Sequence, residues 1–320
     1  LRTLAHYCPS TALALSMHQH LVATLRWNYI NGRPGEKPLR AVAANELVLV
    51  STGAGDWLAS KGIATQVDGG FSVTARKVFG SGSPAGGMLV TSVPYEDPVE
   101  GWQVIHCPVP VSAEGVSVSS DWKAMGMRAT GSHTVVMKNV FVPEEAVVLR
   151  RPRGVYHPFF DVVLTVAPAI YTAPYVGTAE AAVAIANLEC SKMGDDGTRP
   201  ALLGEVHNEM MIAQLAHAEM IAGVNEFDVA PDTERANRNL ICKTLIANSV
   251  KRTAEKAIEA VGGSAYFREL GLERLLRDLY AAQFHPLPER KQQLFTGRLA
   301  MGLGTPEEMG WANQLRQAAE

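Results

Sequence analysis

The apolar period of this chain changes twice, and that change limits its fold more than any other feature. Leu4, Ala12, Leu13, Leu15, Met17, Leu21 and Leu25 make a dense helical face over the first 45 residues, broken at Pro9, with Ser10 placed to cap the next helix. Asn31-Gly32-Arg33-Pro34-Gly35 is a loop. From Glu46 the period falls to that of strands. Leu47-Val48-Leu49-Val50 fits a buried strand, and residues 64–67 and 71–75 flank Asp68-Gly69-Gly70 as a hairpin. Residues 88–93, 102–109, 116–119, 134–137 and 140–142 are further strand candidates, ending near Pro143. Beyond residue 158 the helical period returns. Val206, Met210, Ala213, His217, Met220 and Val224 form one stripe, and Leu240, Thr244, Val250, Ala254, Ala257 and Val261 lie on another. His217 on such a stripe is expected to be a hydrogen-bonded core histidine. Helices, strands, then helices give an α+β chain divided at 1–45, 46–150 and 151–320. Alternating βαβ units and Gly-x-Gly-x-x-Gly do not occur, so a dinucleotide cannot bind in the Rossmann manner.

Charge and polarity remove other classes. A net charge of -3 leaves no basic footprint for nucleic acid. The most apolar run, Val162 to Ala186, contains Pro168, Pro174 and Glu180 and reads as a buried helix rather than a membrane span. Cys8, Cys107, Cys190 and Cys242 are scattered without metal or redox spacing, as expected of reduced thiols in a cytoplasmic protein. Leu1 is not an initiator Met and no signal-peptide pattern follows it, so the first helical domain is expected to be truncated, beginning upstream. Arg150-Arg151-Pro152-Arg153 and Glu289-Arg290-Lys291 read as solvated surface.

Residues 262–302 carry the densest punctuation. Gly262-Gly263 lets backbone approach a ligand or another chain closely. Glu273 and Arg277 are spaced to pair on a helix that ends in Arg277-Asp278. His285-Pro286-Leu287-Pro288 must break that helix, and Pro288 can open the last one. This order resembles the C-terminal end of the acyl-CoA dehydrogenase superfamily of flavoproteins. The resemblance implies a helical N-terminal domain, a central antiparallel β-barrel-like domain and a C-terminal four-helix bundle.

Three earlier stretches extend the resemblance over most of the chain. Ser51, Thr52 and Gly53 match a loop that meets the flavin pyrimidine in the family. Phe79, Gly80 and Ser81 stand where dehydrogenases carry Trp-(Ile/Val)-(Thr/Ser), and the Ser-Gly pattern is closer to the monooxygenase branch, such as dibenzothiophene monooxygenase and hydroxyphenylacetate hydroxylase. There a Ser reaches the reactive flavin edge, a role implied for Ser81; read alone it is a loop serine. Gly126-Met127-Arg128-Ala129-Thr130-Gly131-Ser132 ahead of Val142-Pro143 is the most family-specific signal of the β-domain, and it places Thr130 and Ser132 at the cofactor. Arg199 before Leu203-Gly204 stands near a family Arg that meets FAD pyrophosphate in a neighbouring subunit, and Gly262-Gly263 matches the pair at the adenylate half. A homodimer or homotetramer binding FAD or FMN is thereby implied. Arg150-Arg151-Pro152-Arg153 then has the alternative of touching a CoA or flavin phosphate.

The catalytic Glu of family dehydrogenases falls at Pro286, and the alternative helix position at Ala167; Asp161 is six positions upstream of the latter. Proline and alanine cannot take a proton. The monooxygenase branch uses reduced flavin from a separate reductase, oxygen, and a His after the Arg-Asp pair, a place His285 matches. His18 or His20 supplies a second imidazole if one lines the pocket; otherwise both are ordinary helix histidines. The expectation is a flavin-dependent oxidoreductase leaning to two-component monooxygenase chemistry. The alternatives are an atypical acyl-CoA dehydrogenase oxidising a Cα–Cβ bond, and a silent homologue kept for binding or assembly.

Overall fold

The computed structural model describes residues 1–306; residues 307–320, the end of the third expected segment, lie outside it. The N-terminal helices are α1 Arg2–Ala5, α2 Pro9–Ile30 and α3 Glu36–Ala44. Pro9 occupies the first turn of α2, so Cys8 and not Ser10 is the cap residue. Ser10 instead accepts the Ala129 N–H at 3.3 Å, tying α2 to the β-domain.

Strands β1 Leu49–Ser51, β4 Met88–Asp97, β5 Gly101–Pro110 and β8 Leu149–Pro152 form one sheet in the order β1-β4-β5-β8. Strands β2 Ile63–Val67, β3 Gly70–Gly80, β7 His133–Pro143 and β6 Val116–Val118 form the other in the order β2-β3-β7-β6. Phe71, Val73, Leu89, Val93, Ile105, Val135 and Met137 fill the space between them. One pair departs from the expected antiparallel pattern: β1 runs parallel to β4, Leu49 opposite Met88. No hairpin turn joins this pair; β1 is fed by α3, whose end holds the Leu47 N–H on the Val42 carbonyl, and nothing forces the strands to oppose. Strand β8 also carries the β-domain past residue 150.

Two basic residues are interior, one of them, Arg151, in a run expected at the surface. Arg151 is 1% exposed and donates to the carbonyls of Leu58 and Trp57 and to His106 Nε2, so it is not a solvated residue. Lys77 continues the inward-facing series Phe71, Val73, Ala75 and is also 1% exposed. Its ammonium meets the Asp56 carboxylate and the carbonyls of Lys61 and Ser92 at 2.6 and 2.7 Å.

Helices α4 Phe159–Met193, α5 Arg199–Val224 and α6 Thr233–Val261 build the bundle, with α7 Leu272–Leu279 and α8 Glu289–Ala300 at its side. Small residues bring the helices close: Ala179, Ala182, Ala213, Ala254 and Ala257 are all fully buried. A Cβ on Gly177 of α4 would lie 2.1 Å from the Arg2 carbonyl, which is how α1 crosses so near. α4 is apolar enough to span a bilayer by length and composition, and 78% of its most apolar window is buried inside the fold. Pro168 deprives the Leu164 carbonyl of its helical donor. Asn239 of α6 supplies replacements, donating to Leu164 at 3.4 Å and to Thr165 at 2.7 Å. His217 of α5 donates Nε2–H to the Ala169 carbonyl at 3.0 Å. The proline-interrupted part of α4 is thus held from both neighbours, and it carries Tyr171 and Tyr175 at the next turn.

Candidate active site

The site lies where the β-domain meets the bundle. On the β side, β3 and β7 shift register between Lys77 and Gly80, and Phe79 takes a left-handed φ of +61°, redirecting the chain into Ser81. Met127 and Gly131, also left-handed, fold the 127–132 segment against it. Ser81 Oγ lies 2.7 Å from Ser132 Oγ, which lies 2.7 Å from Thr130 Oγ1; Thr130 donates to the Met127 carbonyl at 2.9 Å. The three candidate hydroxyls form one chain.

This turn is docked on α7. A Cβ on Gly126 would lie 2.0 Å from the Arg277 carbonyl, so only glycine permits the approach. Asp278 accepts the Met127 N–H at 2.5 Å, and Arg277 donates to the Met125 carbonyl at 2.8 Å while pairing with Glu273 at 2.7 Å. The two family-like motifs, read separately in the sequence, are therefore one contact. Burial pushes the Asp278 carboxyl up, against the pull of the Met127 N–H.

On the bundle side, His285 is half-buried. Its ring stacks on Tyr171 at 4.6 Å and 12°, and its Nε2 is 2.7 Å from the Tyr175 hydroxyl. Burial first, then the charges of Lys243 and His20, push the imidazole down to about 3, so it is neutral. Burial raises Tyr175 well above the usual phenol range, so it keeps its proton and can donate to Nε2. His20 is buried and held at about 4, again mainly by desolvation, and donates weakly to the Ser16 carbonyl at 3.4 Å. His18 is used elsewhere: its Nδ1 accepts the Leu49 N–H at 3.0 Å, joining α2 to β1.

The remaining candidates are spread around this centre. Thr52 is 1% exposed, and both its N–H and its hydroxyl go to the Val90 carbonyl, leaving Ser51 and the exposed Gly53 as the accessible part of that loop. Arg199 pairs with Asp196 at 3.1 Å at the start of α5. Gly262 and Gly263 are exposed, with nothing among the described residues within 4 Å of a Cβ, beside Tyr266 at 90% exposure. Asp161 accepts from Tyr156 at 2.6 Å and Thr233 at 3.1 Å, so both its oxygens are engaged. Pro286 presents only a carbonyl, which Tyr171 holds at 2.9 Å.

Residues 169–289, which contain the tyrosines, Arg277-Asp278 and His285, match the model of the acyl-CoA dehydrogenase C-terminal domain. The whole chain carries the acyl-CoA dehydrogenase fold: it superposes on KijD3, solved with FMN and dTDP-3-amino-2,3,6-trideoxy-4-keto-3-methyl-D-glucose, with a TM-score of 0.86 and 23% identity over 97% of this chain and 81% of that one. It is 27% identical to an amino sugar nitrososynthase of Streptomyces peucetius over 86% of this chain and 71% of the relative. It is 25% identical to cyclohex-1-ene-1-carbonyl-CoA dehydrogenase of Geobacter metallireducens over 93% and 80%. The homologues of this chain are flavin-dependent oxidoreductases: monooxygenases, nitrososynthases and dehydrogenases.

The sequence alone does not single out Tyr171, Tyr175 and Lys243. The signal for Lys243 is its place in the buried stripe Ala236, Leu240, Lys243, Ala247, Val250, where a charge has no surface reason to be. The tyrosines are spaced one turn apart on the most apolar helix.

Proposed function

We propose that the chain is the oxygenase of a two-component flavin monooxygenase, taking reduced FMN or FAD from a separate reductase and using oxygen on a small-molecule substrate. The observation that carries this reading is the direction of the hydroxyl chain. A hydroxyl has one proton to give. Thr130 gives its proton to the Met127 carbonyl, so Ser132 must donate to Thr130, and Ser81 must donate to Ser132. Ser81 Oγ is left able only to accept. The central nitrogen of a flavin carries a hydrogen when reduced and a lone pair when oxidised, so an acceptor there favours the reduced form.

The residues present fit the group. Among the described residues no atom lies within 4 Å of a Cβ on Gly53 or Gly82, so a flat ring has room to reach both backbones. Ser51, Gly53, Phe79, Gly80, Ser81, Thr130 and Ser132 would hold it. A bound reduced flavin supplies the electrons that activate oxygen. The chain's own part is to accept a proton and exclude water. His285, neutral and held by Tyr171 and Tyr175, accepts a proton at Nε2 through the Tyr175 hydroxyl, which passes on the proton it takes from the substrate side, with His20 as the second imidazole. The missing dehydrogenase Glu supports the same conclusion: Pro286 and Ala167 cannot act as bases, and Asp161 is occupied. Exposed Gly262-Gly263 and Arg199 suit a cofactor reaching in from a second copy, in a homodimer or homotetramer in the cytoplasm. Similarity to an amino sugar nitrososynthase favours a nitrogen-containing substrate over an acyl-CoA.

The test is anaerobic titration of the protein with FMN and FAD in each redox state. Reduced flavin is expected to bind about tenfold tighter, the size of one hydrogen bond, and Ser81→Ala to lose that preference. Equal affinity for oxidised flavin, bleached on adding an acyl-CoA, would favour the dehydrogenase instead.

A further inference from the structure

We infer that Lys243 is a positioning residue that fixes the His285 imidazole by clamping the backbone at and just after it. Lys243 is 1% exposed and projects from the buried face of α6. Its ammonium donates to the Leu287 carbonyl and to the His285 carbonyl at 3.3 Å. Tyr171 holds the intervening Pro286 carbonyl at 2.9 Å. Three consecutive carbonyls of a segment between two helices are thus captured by two side chains from α6 and α4. Pro286 and Pro288 have no N–H to offer the segment any other order. Such a buried cation is costly unless something requires it.

The clamp and the imidazole are mechanically one unit. Tyr171 both holds the Pro286 carbonyl and stacks on the His285 ring, while Tyr175 meets its Nε2. The charged and titratable groups facing it are Tyr171 and Tyr175 on α4, His20 on α2, Glu289 at the start of α8, and Asp278 on α7, which acts on Tyr175. Burial lowers Lys243 to about 8, with Glu289 opposing, so its charge is lost at mildly alkaline pH. Its proximity also keeps His285 neutral.

This inference rests on His285 being the proton acceptor, yet its test needs no flavin and no substrate. Histidine-labelled protein is titrated by NMR from acid through neutral to alkaline pH. In the wild type, the His285 ring signals are expected to step near pH 8, although the ring itself does not titrate there, because Lys243 discharges and releases the carbonyls. In Lys243→Met the step vanishes and the His285 protonation midpoint rises by about one pH unit or more. Lys243→Arg, which keeps the charge, restores the low midpoint. A flat wild-type response between neutral and alkaline pH would overturn the inference even if no variant folds. So would a Lys243→Met titration that overlays the wild type. A positive result alongside equal affinity for both flavin redox states would leave the clamp standing and remove the oxygenase reading.

Discussion

His285→Ala is expected to lower oxygenation by about 10²–10⁴-fold while reduced flavin binds as before. The half-buried ring is neutral because desolvation first, then the charge of Lys243, oppose its protonation. A histidine depressed to about 3 stays unprotonated far below the usual imidazole range. The rate should therefore show no limb at the ordinary histidine pKa as pH falls through neutrality. Benzylamine, dibenzothiophene and hydroxyphenylacetate serve as probe substrates, with an added flavin reductase. Hydrogen peroxide release is followed beside product. Loss of product with peroxide release maintained supports the assigned role. Unchanged product formation would remove His285 from the chemistry.

The largest stability effect is expected at Lys77. Lys77→Met removes the cation facing Asp56, which is 5% exposed, takes the ammonium from the Lys61 carbonyl and leaves the Ser92 carbonyl with the Ser60 hydroxyl alone of its two side-chain donors. Breaking one side of a buried pair costs about 3–5 kcal/mol, because the other charge stays behind without its partner. Desolvation already raises the Asp56 carboxyl, and losing Lys77 raises it further. A carboxyl raised in the folded state stabilises below its unfolded pKa and loses that contribution as pH rises. The deficit of Lys77→Met against wild type should therefore shrink as pH falls through the carboxylate range. Lys77→Met with Asp56→Asn should recover part of it. Denaturant midpoints of the three proteins across pH give the answer. The same pair anchors the end of the Ser51–Gly55 loop, so the single variant should also weaken flavin binding.

The helix–strand–helix order was legible because apolar spacing responds to burial, which dominates the energetics of long elements. The direction of β1 was not, since a three-residue strand carries no record of its neighbour. Ser81, Thr130 and Ser132 could be picked out one by one, but not as a chain, because that depends on left-handed turns at Phe79, Met127 and Gly131. The Gly126 and Arg277-Asp278 motifs are about 150 residues apart, and only folding shows that one is shaped for the other. Arg151, Lys77 and Lys243 were missed for a shared reason. A basic residue suggests surface by composition, while its position in an apolar series points inward, and carbonyls left free by irregular backbone decide in favour of burial. The same reasoning separates the two neighbouring histidines: His18 meets the Leu49 N–H, whereas His20 faces the interior.

The most direct measurement uses isotopically heavy oxygen gas. The protein is mixed with a flavin reductase, FMN or FAD, and benzylamine, dibenzothiophene or hydroxyphenylacetate. The account predicts a product whose mass rises by one heavy oxygen atom. It is contradicted if no oxygen enters any product while an acyl-CoA, without oxygen present, is converted to its enoyl form and decolourises the bound flavin.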